Sequence, residues 1–321
     1  MSEALRVKAK YERDLRKIAG VTGVGYNGSI IVFVEKVDPK VVSFIPKTLD
    51  GVPVKIVKSG KIKLLSFPIV DATYGSRTSR IRPPAGGISI GHPKATAGTL
   101  TCSVRDKRTG KRVELTNDHV GALQWGNAHI GKKGDPILQP GIYDGGVEPN
   151  DTIGYLERWV RVELNKKNLI DGCIYDGTDA NTIQEVGKPS NVIEGYAGMK
   201  VKKSGRTTGL TFSNTLSMSS SITVEGWGEA LFTDQIIVSP AFAAPGDSGS
   251  WVGNENNETL GIVFAGSPEI TIVNKATNLE KLLEIEFAPN IGYIPLSILA
   301  PIPATIIGAF LTTRIGRNNG S

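Results

Sequence analysis

Cysteine and histidine are scarce in this 321-residue chain, with two of the first and three of the second. Two cysteines, Cys102 and Cys173, make no disulfide framework for a chain of this length and read as buried thiols. His92, His119 and His129 do not stand at zinc-ligand spacing with either cysteine, so no metal site is expected. The N-terminal MSEALRVKAKYERDLRKIAG lacks the apolar core of a signal peptide, which makes a cytoplasmic protein the expectation. Long runs of one charge are missing too. The net charge of +6 is spread out, with only short pairs such as Lys132-Lys133, Lys166-Lys167 and Lys202-Lys203, and reads as a solvated basic surface rather than nucleic-acid binding. No internal repeat or low-complexity tract stands out. The most apolar stretch, 294–311, is interrupted by Pro295, Pro301 and Pro303 and is marginal for a membrane span. A packed terminal segment, or a subunit contact in a homo-oligomer, fits it better.

What the chain does have is glycine, 38 residues, and proline, 18, set between short apolar runs. With 40% apolar residues it can bury a sizeable core, and the punctuation favours a turn-rich β protein over a helical bundle. Ala4, Leu5, Val7, Tyr11, Leu15 and Ile18 recur at roughly helical spacing, with Gly20 as a stop. GVTGVGY and SIIVFVEK flank Asn27-Gly28 and predict a hairpin with a type I′ turn. VKIVKSGKIKLL reads as further strand, so residues 1–80 suggest a small α+β domain with a structural or regulatory role. A break falls at 79–87, SRIRPPAGG. Beyond it, GTLTCSV, RVELTN, TIGYLERWV, MKVKKSG, SITVEG, TDQIIV, GSWVG and TLGIVFAG predict an antiparallel β-barrel or sandwich.

PGDSGS, Pro245 to Ser250, carries the strongest chemical signal. A nucleophilic serine needs a tight turn with backbone N–H groups aimed at the developing oxyanion. Ser248 fits that role, with the amides of Gly246 and Ser248 as oxyanion donors and Asp247 fixing the loop. VELTNDHV places His119 at the end of a β-run, suited to a general base near neutral pH. His129, in AHIGKKGDP, has no partner in view. The orienting carboxylate comes from NLIDGCIYDGTDA. Asp171, in an apolar setting, is favoured over Asp176 and Asp179, which stand in a turn-like stretch. The order His, Asp, Ser along the chain is that of the chymotrypsin type.

On these residues, 88–292 resembles the trypsin-like peptidases of the chymotrypsin fold, two β-barrels with a cleft between them. TNDHV stands where that family has its histidine motif and PGDSGS matches its nucleophile loop. GIVFAG stands where the family has a strand that pairs with substrate, which assigns Val263, Phe264, Ala265 and Gly266 to substrate binding. VKKSGRTTGLTFS and GDPILQPGIYDGG narrow the likeness to a microbial and plant group that includes the NARROW LEAF type. Within it, GRTTG reads as a turn closing the second barrel, and Arg206 as either a substrate contact or a structural ion pair. The resemblance implies a serine endopeptidase acting on protein or peptide substrates with no metal or organic cofactor, with a peptide-binding scaffold without turnover as the alternative. Phe242, six before the nucleophile, takes the base of the primary pocket. No acid stands there, so a small or medium apolar side chain is the expected preference. Residues 293–321 form an apolar extension in this reading.

Overall fold

The computed structural model describes residues 2–65, 75–125, 128–177, 179–240 and 242–287. The apolar stretch 294–311, and with it the expected C-terminal extension, lies outside them. The described residues fall within one compact unit, Met1–Ala288, and are mainly β, as the punctuated apolar runs require.

Two sheets dominate. The first has six strands in the order Pro136–Leu138, Thr152–Val160, Gly172–Gly177, Arg112–Thr116, Ser103–Asp106 and Ile285–Glu286, all pairs antiparallel. Its apolar residues Leu115, Ile174, Val104 and Val113 are buried against Leu279 and Leu283 of the helix Ala276–Leu282 and its cap. The second sheet runs through Lys200–Gly205, Gly209–Glu225, Glu229–Val238, Trp251–Gly253, Glu258–Gly266 and Thr271–Lys275. Burial is continuous along Thr259–Gly266, the pattern of a strand covered on both faces. Cys102 and Cys173 are free and buried, and burial pushes both thiols to higher pKa.

The N-terminal region begins with the helix Glu3–Leu15, capped by Ser2, whose Oγ accepts the Leu5 N–H at 3.4 Å. Val21–Tyr26 and Ile30–Val34 form the expected hairpin. Its turn is not type I′, which needs positive φ at both central residues. Only Gly28, at φ 93°, is left-handed, and Asn27–Ser29 make a three-residue loop. The hairpin does not stand apart: Gly23 and Val24 pair with Ile222 and Ser221, so its strands continue the second sheet. A Cβ on Gly23 would lie 2.6 Å from the Ser221 carbonyl, and that close approach explains the glycine. Val52–Lys58 then pairs in parallel with Ile30–Val34. From there the chain enters Lys63–Leu64, which is inserted between Glu225 on one side and Ala265–Gly266 on the other.

Candidate active site

The strand Arg112–Thr116 ends at Asn117, which caps a single helical turn, Asp118–Gly121. His119 therefore sits one turn beyond the strand rather than on it. Asp171 immediately precedes the neighbouring strand Gly172–Gly177, whose Cys173 is paired with Thr116. The antiparallel register delivers both side chains to one spot. Asp171 Oδ1 accepts the His119 backbone N–H at 3.2 Å, and Asp171 Oδ2 is in short contact with His119 Nδ1. A ring that gives its Nδ1–H to this carboxylate presents Nε2 on its opposite edge. Nε2 is buried and has no hydrogen-bond partner among the described residues.

Two asparagines hold Asp171 in place. Asn117 Nδ2 donates to the Asp171 carbonyl at 2.7 Å, and Asn274 Oδ1 accepts the Asp171 N–H at 2.9 Å. Asn274 in turn donates to Gln235 Oε1 at 2.7 Å, tying the first sheet to the second. Neither asparagine carries a motif that sequence reading would flag. Asp176 and Asp179 do not join the histidine: Asp176 accepts the Tyr155 N–H at 2.7 Å, and Asp179 lies 3.9 Å from Arg112 on the surface.

Ser248 lies on the turn between Pro245 and Ser250. Gly246 at φ 99° and Gly249 at φ 93° occupy the left-handed region that glycine tolerates. Threonines staple this loop to the first half of the chain. Thr99 N–H donates to the Ser248 carbonyl at 2.7 Å, Thr99 Oγ1 to the Gly246 carbonyl at 2.9 Å, and Thr101 Oγ1 to the Gly249 carbonyl at 2.6 Å. Asp247 is fully buried and points into the loop's own framework. It accepts from Thr207 N at 2.8 Å, Thr208 N at 3.2 Å, Thr208 Oγ1 at 2.6 Å and Ala244 N at 3.0 Å, with Lys203 Nζ at 3.5 Å. Burial lowers the Lys203 pKa, against the opposing pull of the Asp247 charge. Thus the GRTTG turn, 205–209, supports the loop that carries Ser248. Arg206 forms an ion pair with Asp144, Nε to Oδ2 at 2.9 Å, and lies over the Tyr143 ring, in the structural role.

Ser248 Oγ donates to the Phe264 carbonyl at 3.3 Å. An aromatic chain leads from that residue back to the histidine, with Phe264–Phe232 centroids 4.7 Å apart, Phe232–Trp227 5.5 Å and Trp227–His119 6.2 Å. The remaining expected substrate-binding residues are grouped here. Ala265 and Gly266 pair with Leu64 and Lys63, while Phe242 and Val263 belong to one buried apolar cluster with Leu65. The Gly246 N–H donates to the Leu65 carbonyl at 2.7 Å, so that amide faces an acceptor oxygen.

His129 is not partnerless, contrary to the sequence reading. Its Nε2 lies 3.1 Å from Asp118 Oδ1, and its ring stacks on Trp159 at 4.4 Å. Burial, helped by the charge of Asp171, raises the Asp118 pKa to about 6 against the lowering effect of the bond to His129. Local spacing did not reveal this contact because strand pairing and the turn after residue 121 create it.

No family model and no curated protein matches the chain. Among solved structures, it is similar to protease A of Thermobifida fusca, at 18% identity and TM-score 0.45 over 64% of this chain and 97% of that one. It is also similar to a Nocardiopsis protease, at 16% identity and TM-score 0.46 over 64% and 98%. The chymotrypsin of Cellulomonas bogoriensis gives 17% identity and TM-score 0.45 over 63% and 97%. These neighbours are bacterial serine proteases, and the narrower likeness to the NARROW LEAF-type group finds no support among them.

Proposed function

We propose that this chain is a serine endopeptidase of the chymotrypsin type, with Asp171, His119 and Ser248 as its triad. The observation that carries the reading is the buried Asp171–His119 pair, which leaves Nε2 without a hydrogen-bond partner among the described residues. A buried polar atom without a bond is costly and uncommon in a settled core. It is accounted for if that nitrogen is kept to receive a proton. In this mechanism Ser248 Oγ turns from the Phe264 carbonyl towards Nε2 and loses its proton to the ring as it attacks a peptide carbonyl. Asp171 stabilises the resulting imidazolium. The Gly246 and Ser248 amides hold the oxyanion, His119 returns the proton to the leaving amine, and water releases the acyl-enzyme.

A peptide-binding scaffold without turnover is the second reading. It is favoured by the present bond from Ser248 Oγ to Phe264 and by the complete burial of Ser248. A fluorophosphonate probe separates the two. Labelling of the parent but not of Ser248→Ala, together with Ser248-dependent cleavage of denatured casein, supports the peptidase. Equal labelling of both forms, or peptide binding with no cleavage, removes it.

A further inference from the structure

Ser248 is wholly buried, and the chain's own segment Ile62–Leu65 is bonded to residues on both sides of it, Gly246 and Phe264. The Leu65 N–H donates to the Phe264 carbonyl at 3.2 Å, and the Leu65 carbonyl accepts from the Gly246 N–H at 2.7 Å. Leu64 and Lys63 continue antiparallel to Ala265 and Gly266. The Leu65 side chain is 6% exposed and shares its cluster with Phe242, Val238, Val252 and Val263. Its Cδ2 stands 3.5 Å from where a Cβ of Gly266 would be. Leu64 fills the space beside Gly226, where a Cβ would meet its Cδ1 at 2.5 Å. The far edge is also tied: the Ile62 carbonyl accepts the Glu225 N–H at 2.9 Å, and Lys58 pairs with Glu269 at 2.6 Å. A regulatory strap would need only to block the cleft. This one also places a carbonyl oxygen on an amide of the Ser248 loop and a leucine in the apolar cluster around Phe242.

We propose that Leu65 is the acyl-side residue of a self-cleavage site, and that the enzyme's first substrate is its own Leu65–Ser66 bond. This rests on the peptidase reading above. Ser248 Oγ bonds to the Leu65 carbonyl carbon while its proton passes to His119 Nε2. The C–N bond to Ser66 then breaks, and that proton goes to the Ser66 nitrogen, which becomes a free amine. Water attacks the Leu65–Ser248 ester and gives one proton to His119. The ester bond breaks, Ser248 recovers a proton from His119, and the fragment 1–65 ends in a carboxylate. Tethering makes the attack first-order, with the effective concentration of a held group. The same pocket sets the preference for outside peptides: leucine, or a side chain of its size, before the cut bond.

The test follows purified full-length protein by intact mass spectrometry under denaturing conditions, at two concentrations a hundredfold apart, beside Ser248→Ala, Leu65→Met and Leu65→Asp. Parent and Leu65→Met are expected to yield 1–65 and a piece beginning Ser66-Phe67-Pro68, at a rate independent of dilution. Ser248→Ala should stay whole. Leu65→Asp, with a charge that cannot seat in the apolar pocket, should be cut about a hundredfold more slowly or less. Its pocket being vacated, it should still take the fluorophosphonate at Ser248. An uncut parent beside a labelled Leu65→Asp overturns the self-cleavage and leaves the peptidase standing. A cut after Leu65 in Ser248→Ala assigns the cleavage to another enzyme and also overturns it. Failure of every form to label removes the peptidase reading and this inference with it.

Discussion

Asp118 turns away from its sequence neighbour His119 and holds His129 instead, Oδ1 to Nε2 at 3.1 Å. Two carboxylates and two imidazoles thus form two separate pairs, Asp171 with His119 and Asp118 with His129. The division leaves Asp171 free to serve one ring only. Asp118 Oδ2 has no hydrogen bond among the described residues, and His129 is the side chain bonded to Oδ1.

Replacing His129 with phenylalanine should keep the stack on Trp159 and strand the buried Asp118 carboxylate. Breaking a buried pair from one side costs about 3 kcal/mol. Urea unfolding at neutral pH is expected to show a loss of that order for His129→Phe. Asp118→Asn, which removes the charge and keeps a polar partner, should lose less.

Asp171→Asn replaces an acceptor with a group that can donate to Nδ1. The His119 ring then carries its proton on Nε2 and cannot take one from Ser248. Fluorophosphonate labelling should slow on the order of a thousandfold, with thermal stability changed far less than reactivity. A variant that labels within a factor of ten of the parent would show that Asp171 is not the orienting acid.

Gly249 is held at φ 93°, and a Cβ there would lie 2.1 Å from the Thr99 carbonyl oxygen. Backbone on one side and a left-handed conformation on the other leave no inexpensive relaxation. Gly249→Ala should lose about 3 kcal/mol, read from its urea midpoint, and should label poorly because the nucleophile loop must shift.

Glu114 is buried, with Oε1 accepting from Ser103 Oγ and Ala180 N and with Oε2 unpartnered among the described residues. Burial raises its pKa from 4.5 to about 7, against the smaller effect of those bonds. Because the folded value exceeds the unfolded one, its contribution is fully present below pH 4.5 and is lost as pH rises through 7. Over that interval the loss is about 3 kcal/mol. Glu114→Gln should therefore gain on the parent between pH 4.5 and pH 8 in urea unfolding, and a constant difference across that range would count against the assignment.

Much of this could be read along the chain because it is local. The apolar run of Thr152–Val160, the glycines flanking Ser248 and the helical spacing from Ala4 to Leu15 each announce themselves within a few residues. What could not be read depends on register between distant segments. Nothing near Lys63 says that it lies opposite Gly266, and nothing near Gly23 says that it meets Ile222. Asn274 looks like any strand asparagine until Asp171 arrives 2.9 Å away. The hairpin at Asn27-Gly28 shows the converse limit. Its dipeptide signals a turn, but the extra residue Ser29 sets the loop length and with it the backbone type.

The pairing of Val21–Tyr26 with Gly209–Glu225 governs the aftermath of a cut at residue 65. One hydrolysed amide would not part the two pieces, because hydrogen bonds and buried side chains still knit the first into the second. The fragment would depart only by peeling from a sheet margin, so emergence of an open cleft would be timed by an unfolding event and hastened by heat, denaturant or digestion of the detached piece.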